Sequence, residues 1–294
     1  MIQGSKIRQR REVLGLTQLE LAEKLFVTVQ AVSQWENDKT QPDTDRILQL
    51  AKILGTTADA LLDGSSESEA HWHLVDQMFS AEHMYSKLKA FAQSEQLQET
   101  YQALPYMRKC HTGQVRDSVR GINQNTPYIV HPLTMACQAH AMGIREDTVL
   151  AAALLHDVCE DCGVLPEELP FSDEVRTAVG LLTKNEFRFQ QIGRPAALAE
   201  YYERIHSNKT SMLVKCLDRC HNLSTMASSF SSERMARYIM ETEEHILPIL
   251  DEIKSRYADL SDAVFLLKYQ TLSLLETQKA LLMGRLTGEK GGKK

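Results

Sequence analysis

A chain of 294 residues with 43% hydrophobic and 24% charged residues has an ordinary globular composition and length for about two domains. Its net charge of −6 excludes a global pull toward nucleic acid, so any contact with DNA must come from a local surface. No apolar run reaches membrane-spanning length, and the basic start at Lys6, Arg8, Arg10 and Arg11 lacks the apolar stretch of a signal peptide; a cytoplasmic protein with its six cysteines reduced is expected.

In chain order, Thr17-Gln18-Leu19-Glu20 has capping-box spacing and predicts a helix start, with Leu21, Ala22 and Leu25 on the buried face. Thr28 then caps a second short helix after a tight turn, with Val32 and Trp35 inward. Ile47, Leu50, Ala51 and Leu54 share one helical face, and Leu61 and Leu62 close the region. From Asp63 to Glu69 the residues are small, polar and acidic, which predicts a linker. The stretch from Glu67 to Leu104 is amphipathic without motif chemistry, and helical periodicity dominates the remainder. Near the C-terminus Leu267, Leu274 and Leu281 recur at heptad spacing, a stripe read as core rather than coiled coil, before a basic tail from Thr287 to Lys294 that is expected to fray. No alternating strand pattern appears. The expectation is an all-α protein with a small helical bundle over 1–63, a linker over 64–70, a larger helical domain over 71–260, and a C-terminal helix and tail over 261–294.

Three separated segments carry the chemistry: Pro127 to Leu133 with His131, Leu154 to Asp161 with His156, Asp157, Glu160 and Asp161, and Lys215 to Leu223 with Asp218 and Asn222. If 154–161 is one helix, His156 pairs with Glu160 and Asp157 with Asp161 at i and i+4. Carboxylates packed that closely repel, which favours a bound cation or a raised pKa on one of them. A buried cluster of this composition without a cation would be costly.

Two short helices joined by so tight a turn can offer the second to a DNA groove. TQLELAEKL, VTVQAVSQWENDKTQPD and RILQLAKILG resemble the lambda-repressor-like (XRE) helix-turn-helix family over about Ile7 to Leu62. The resemblance implies that Gln18 touches phosphate from a helix N-terminus, that Gln30 and Gln34 face base edges, that Lys39 approaches the backbone, and that Thr28 lies at the start of the reading helix. Val29 could offer only an apolar contact, and Phe26 and Asp38 stand where such domains usually have glycine. One such domain buries little DNA surface, so a homodimer on paired half-sites is expected.

HxGQxR at His111 to Arg116, PYIxHPL, ALLHDVxED and KxxDRxHNLxTM, in that order, resemble the hydrolase domain of the RelA/SpoT homologues within the HD phosphohydrolase superfamily. That domain removes the 3′-pyrophosphate of ppGpp. The resemblance covers about Leu97 to Glu252, including Leu182-Thr183-Lys184 and Glu241-Thr242-Glu243. It implies a divalent cation, mostly Mn²⁺ in the family, held by His131, His156, Asp157 and Asp218, with Glu160 and Asp161 orienting and deprotonating the attacking water. It also implies that Arg116 lies against the base, that Asn222 and Thr225 bond the ribose and its phosphates, and that Lys215 and Arg219 offer charge or buttress the site. His111 and His221 are expected as structural hydrogen-bonders, and Cys159 and Cys162 as packed apolar groups rather than a zinc site.

The chain departs from the family pattern at Asp117, where lysine is usual, and the segment 118–126 is longer than usual, with Arg120 a candidate replacement charge. The residues after about Leu260 suffice for one or two helices, so hydrolysis without synthesis is expected. Two further readings stay open here: a transcription regulator whose HD domain senses a nucleotide, and a phosphohydrolase acting on another nucleotide or phosphomonoester. The presence of both Glu160 and Asp161 weighs against the first, and Asp117 sustains the second.

Overall fold

The structure, a computed structural model, describes residues 4–13, 16–54, 56, 61, 80–116 and 126–291. The chain divides into two compact units, Met1–Ala70 and His71–Lys294. Among the described residues the chain is helical, with no strand beyond one isolated bridge between Val115 and Pro127. The all-α expectation holds. The linker residues 64–70, Leu62, and the departures at Asp117 and Arg120 lie outside the described residues.

The first unit contains α1 (Gly4–Val13), α2 (Gln18–Leu25), α3 (Val29–Glu36) and α4 (Thr44–Ile53). Each start from α2 onward is chemically marked. Thr17 and Glu20 close a full capping box, Thr28 accepts from the Ala31 amide, and Asp43 accepts from the Arg46 amide. Ile7, Leu21, Leu25, Val32, Trp35 and Leu50 form the core. Against it lies a buried ion pair, in which Arg11 Nε donates to Glu36 Oε1 at 2.6 Å. The α2–α3 turn passes through Phe26 at φ 54°, and the chain after α3 passes through Asp38 at φ 55°. Both are left-handed positions that favour glycine, so the two residues flagged in the sequence carry the unusual backbone.

The second unit contains α5 (Ala81–Ser94), α6 (Gln98–Cys110), α7 (Val130–Ala141), α8 (Asp147–Leu155), α9 (Val158–Cys162), α10 (Asp173–Leu182), α11 (Glu186–Ile192), α12 (Arg194–His206), α13 (Lys209–Ser229), α14 (Ser232–Glu241), α15 (Leu247–Arg256) and α16 (Ser261–Gly291). Every residue of α8 from Val149 to Leu155 is buried, as expected of a helix apolar on all sides. It packs against α6, α7, α10 and α13 and is the axis of the domain. Asp147 at its start also accepts the Glu99 and Thr100 amides, capping α6, which has no side-chain cap of its own.

A π-helical turn over Thr242–Ile246 joins α14 to α15 and brings Glu241 and Thr242 to Arg219. Helix α16 lies along α13, and its Gln278 donates to the Leu223 carbonyl at 2.7 Å. The heptad leucines divide: Leu267 is in the core, Leu274 packs on its edge, and Leu281 is 45% exposed. The backbone helix continues to Gly291, beyond the point where glycine and lysine content predicts fraying.

Candidate active site

The three chemical segments converge where α7, the end of α8, and α13 meet. His131 lies in the first turn of α7, His156 and Asp157 follow α8, and Asp218 lies in the middle of α13. One ligand atom from each of His131, His156 and Asp157 lies within 4.8 Å of the others. Asp218 Oδ1 is 3.3 Å from His131 Nε2 and 4.0 Å from His156 Nε2. All four residues therefore come together.

The hydrogen bonding around them decides which atoms face inward. His156 Nδ1 bonds the Ala153 carbonyl at 2.9 Å, so its proton sits there and Nε2 points into the cluster. That Nε2 is buried with no aligned hydrogen-bond partner, although Asp157 Oδ2 is 2.9 Å away. Arg116 donates to His221 Nδ1 at 3.3 Å, which makes this nitrogen an acceptor, so His131 Nδ1 must carry the proton in its 2.9 Å bond to His221. The bare Nε2 of His131 then faces Asp218 and, at 3.8 Å, Asp157.

Two imidazole lone pairs confronting two carboxylates suit a cation. The electrostatics agree. Burial lowers His131 to about 4, more than the Asp218 bond restores. Burial would lower His156 too, but Asp157 and Asp218 outweigh it and raise it to about 9, so without a cation the cluster takes up a proton there. Burial alone would raise Asp157, yet His156 holds it well below the usual carboxylate range. Tyr128, kept protonated first by burial and then by Asp157, donates to Asp157 Oδ2. The donor set fits a divalent metal.

The acidic pair is arranged differently from the sequence expectation. The helix over 154–161 is broken: α8 ends at Leu155, Asp157 takes φ −100° and ψ −3°, and α9 starts at Val158. The i to i+4 link survives only as the Asp161 amide bonding the Asp157 carbonyl at 2.9 Å. Glu160 accepts the Lys184 amide at 2.6 Å and lies 3.7 Å from the Lys184 ammonium. It lines the cavity, of about 710 Å³, that also holds His131, His156, Asp157 and Asp218. Asp161 lines an adjoining cavity with Tyr128 and Arg116, and burial, then the Asp157 charge, raises its pKa.

Arg116 is tethered by backbone bonds of its segment to 126–128, the Arg116 amide to Thr126 and the Tyr128 amide to Gln114. Its guanidinium donates to Asn222 Oδ1 at 2.6 Å, and Asn222 donates in turn to Asp218. Thr225 lines the adjoining cavity. Lys215 donates to Asp218 at 2.9 Å, and Arg219, 1% exposed, bonds Glu241, Thr242 and Tyr202. Both cations are spent within the protein, which is the buttressing alternative. His221 bridges His131 to Arg116, and His111 bonds Gln114 at 2.7 Å.

All six cysteines are free. Burial pushes the Cys159 and Cys162 thiols up to about 11, and Cys162 Sγ donates to the Cys110 carbonyl at 3.3 Å. Tyr128, Lys184 and the pair Arg234 and Arg237, which also line the main cavity, were missed in the sequence. Of these, Tyr128 and Lys184 stood inside segments that match the family, without a role assigned to either.

In the first unit Thr28, Gln30, Gln34 and Lys39 are exposed on α3 and the turn after it. Gln18 is different: its amide donates to Glu36 Oε2 at 2.8 Å, so part of its bonding capacity is used inside the domain.

Residues 7–61 match the helix-turn-helix family model. The bifunctional (p)ppGpp synthase/hydrolase SpoT of Escherichia coli strain K12 is 26% identical over 206 residues, 66% of this chain and 28% of that protein. The guanosine-3′,5′-bis(diphosphate) 3′-pyrophosphohydrolase of Haemophilus influenzae is 30% identical over 179 residues, 57% of this chain and 25% of that protein. The chain thus spans little more than a quarter of the length of these relatives. A solved structure described as a metazoan ortholog of SpoT that hydrolyses ppGpp aligns with a TM-score of 0.48 at 21% identity, covering 62% of this chain and 96% of that one. Residues 7–61 are helix-turn-helix in kind, and most of the remaining chain is similar to (p)ppGpp pyrophosphohydrolases.

Proposed function

We propose that this chain is a metal-dependent phosphohydrolase that removes the 3′-pyrophosphate of guanosine 3′,5′-bis(diphosphate) or a close relative, and that its first unit binds DNA. The observation that carries the reading is the convergence of His131, His156, Asp157 and Asp218, imidazole nitrogens facing carboxylate oxygens, at one end of a polar cavity. The names of the relatives supply the substrate class.

His131, His156, Asp157 and Asp218 would hold the cation, Mn²⁺ suiting this mixed imidazole and carboxylate set. When bound it supplies Lewis acidity toward a phosphoryl oxygen. Glu160 and Asp161 take the proton of the attacking water, and the bond broken joins the ribose 3′ oxygen to phosphorus. The products are guanosine diphosphate and pyrophosphate, with a proton ending on the 3′ oxygen. Arg116, held flat by Asn222 and His221, stacks on the base. Tyr128 and Lys215 orient the two carboxylates of the cage.

For DNA, Gln30 and Gln34 on the exposed side of α3 reach base edges and Lys39 the phosphates, with a homodimer matching paired half-sites. No helix among the described residues is long and apolar enough to cross a membrane. Free cysteines and a nucleotide substrate support residence in the cytoplasm. The test is pyrophosphate release from the bis(diphosphate) with Mn²⁺, lost in Asp157→Ala and Asp218→Ala. Absence of turnover of any 3′-pyrophosphorylated nucleotide with metal present would remove the proposal.

A further inference from the structure

The substrate proposed above carries two diphosphates, of which one is cleaved. The cavity contains more cations than the cleavage end can use, and most are already committed. Lys215 is bonded to Asp218 and Arg219 to Glu241. Arg194 lies 3.5 Å from Glu241, and Lys184 lies 3.7 Å from Glu160. Arg116 is held by Asn222 and His221.

Arg234 and Arg237 are the exception. Both line the cavity from α14, both are exposed, and neither forms an ion pair among the described residues. Glu233, on the same helix and fully exposed, feels the Arg237 charge without pairing with it. Their i, i+3 spacing puts the two guanidinium groups on one side of the helix. Arg234 is also positioned: its guanidinium lies 3.9 Å above the Phe230 ring, and its amide bonds Ser231, the cap of α14. It lines both the main cavity and the adjoining one that contains Arg116, Thr225 and Asp161.

We propose that Arg234 and Arg237 form a second anion subsite that grips the uncleaved 5′-diphosphate. This rests on the hydrolase reading. It makes the substrate class a nucleotide phosphorylated at both ends, the base lying by Arg116 and the 3′ end at the histidine–aspartate cage. Two guanidinium groups with ten N–H donors between them match a diphosphate in charge and in bidentate geometry. Phe230 holds one of them in place before the ligand arrives, which lowers the ordering cost of binding.

The test uses the full chain with Mn²⁺ and two substrates, guanosine 3′,5′-bis(diphosphate) and guanosine 3′-diphosphate with a free 5′ hydroxyl, reading KM and kcat for pyrophosphate release. The double variant Arg234→Gln, Arg237→Gln should raise KM for the first substrate roughly ten- to hundredfold. It should leave KM for the second within about twofold, because the lost contacts are to a group absent there. Arg234→Lys should restore part of the loss, charge being kept and the fork lost. Equal changes for both substrates, or none for either, would overturn the subsite.

If the wild type cleaved neither nucleotide, the hydrolase reading would fall on its own. Calorimetric titration with guanosine 5′-diphosphate would then decide the subsite. Weaker binding by the double variant supports it, and equal binding ends it.

Discussion

Replacing Phe26 by glycine should make the helix-turn-helix unit more stable, although it deletes the largest side chain in the turn. Phe26 ends α2 at φ 54° and ψ 45°, where an L-residue costs about 1–2 kcal/mol. Phe26 is 91% exposed, so of an aromatic side chain's roughly 200 Å² only about 20 Å² is removed from water, worth about 0.5 kcal/mol. Glycine adds unfolded-chain entropy, which takes back a further ~0.5 kcal/mol. The balance leaves about 0.5 kcal/mol in favour of glycine, or a rise of roughly 2–4 °C in the melting temperature of so small a unit.

Trp35, buried in the core of this unit, is the reporter. The chain has two tryptophans, so a Trp72→Phe background isolates it. Urea unfolding followed by Trp35 emission should show a higher midpoint and an unchanged slope. A lower midpoint at unchanged slope would refute the strain argument and mean that the exposed ring contributes more than its contact area implies.

Other perturbations address the remaining parts of the structure. Glu36→Ala leaves Arg11 without its buried partner and releases Gln18, so the first unit should lose about 3–5 kcal/mol, read again by Trp35 emission; a loss below about 1 kcal/mol would contradict the buried pairing. For Glu241, burial alone would raise the carboxyl pKa, but Arg219 and Tyr202 outweigh it and the folded pKa lies below 4.5. Its stabilising contribution is therefore fully present above pH 4.5 and fades as pH falls through the folded value. The melting-temperature gap between wild type and Glu241→Gln should be constant near neutrality and shrink in acid; a gap that widens there would reverse the sign. Mn²⁺ at a hundred times its dissociation constant should stabilise the second unit by about 2.7 kcal/mol, and not at all in Asp157→Ala. Equal stabilisation of both would place the cation elsewhere.

The parts of the site legible in the sequence were those whose chemistry is local or whose order is informative. Thr17 and Thr28 announced helix starts because a cap acts within three residues, and both cap as expected. His131, His156, Asp157 and Asp218 were identified because their motifs repeat a family order, although no spacing argument could have folded α7 onto α13. What escaped notice depends on packing between distant helices. Lys184 reaches Glu160 only because the chain after α10 passes α9, and Arg234 reaches the cavity only because α14 packs along its wall. The broken helix at Asp157 escaped for another reason: the residues around it all tolerate helix, and the break coincides with side-chain contacts of Asp157 to Tyr128 and the two histidines that no local pattern reveals.

That break divides the site mechanically. His131 and Asp218 are carried by long helices and His156 and Asp157 by the end of a fully buried one, whereas Glu160 and Asp161 ride on a five-residue segment fastened at Lys184. On the proposed reading, the groups that would hold the ion and the groups that would take the proton are thus mounted on different elements, joined at Asp157. Substitutions in the short segment or at Lys184 should then alter turnover more than ion affinity.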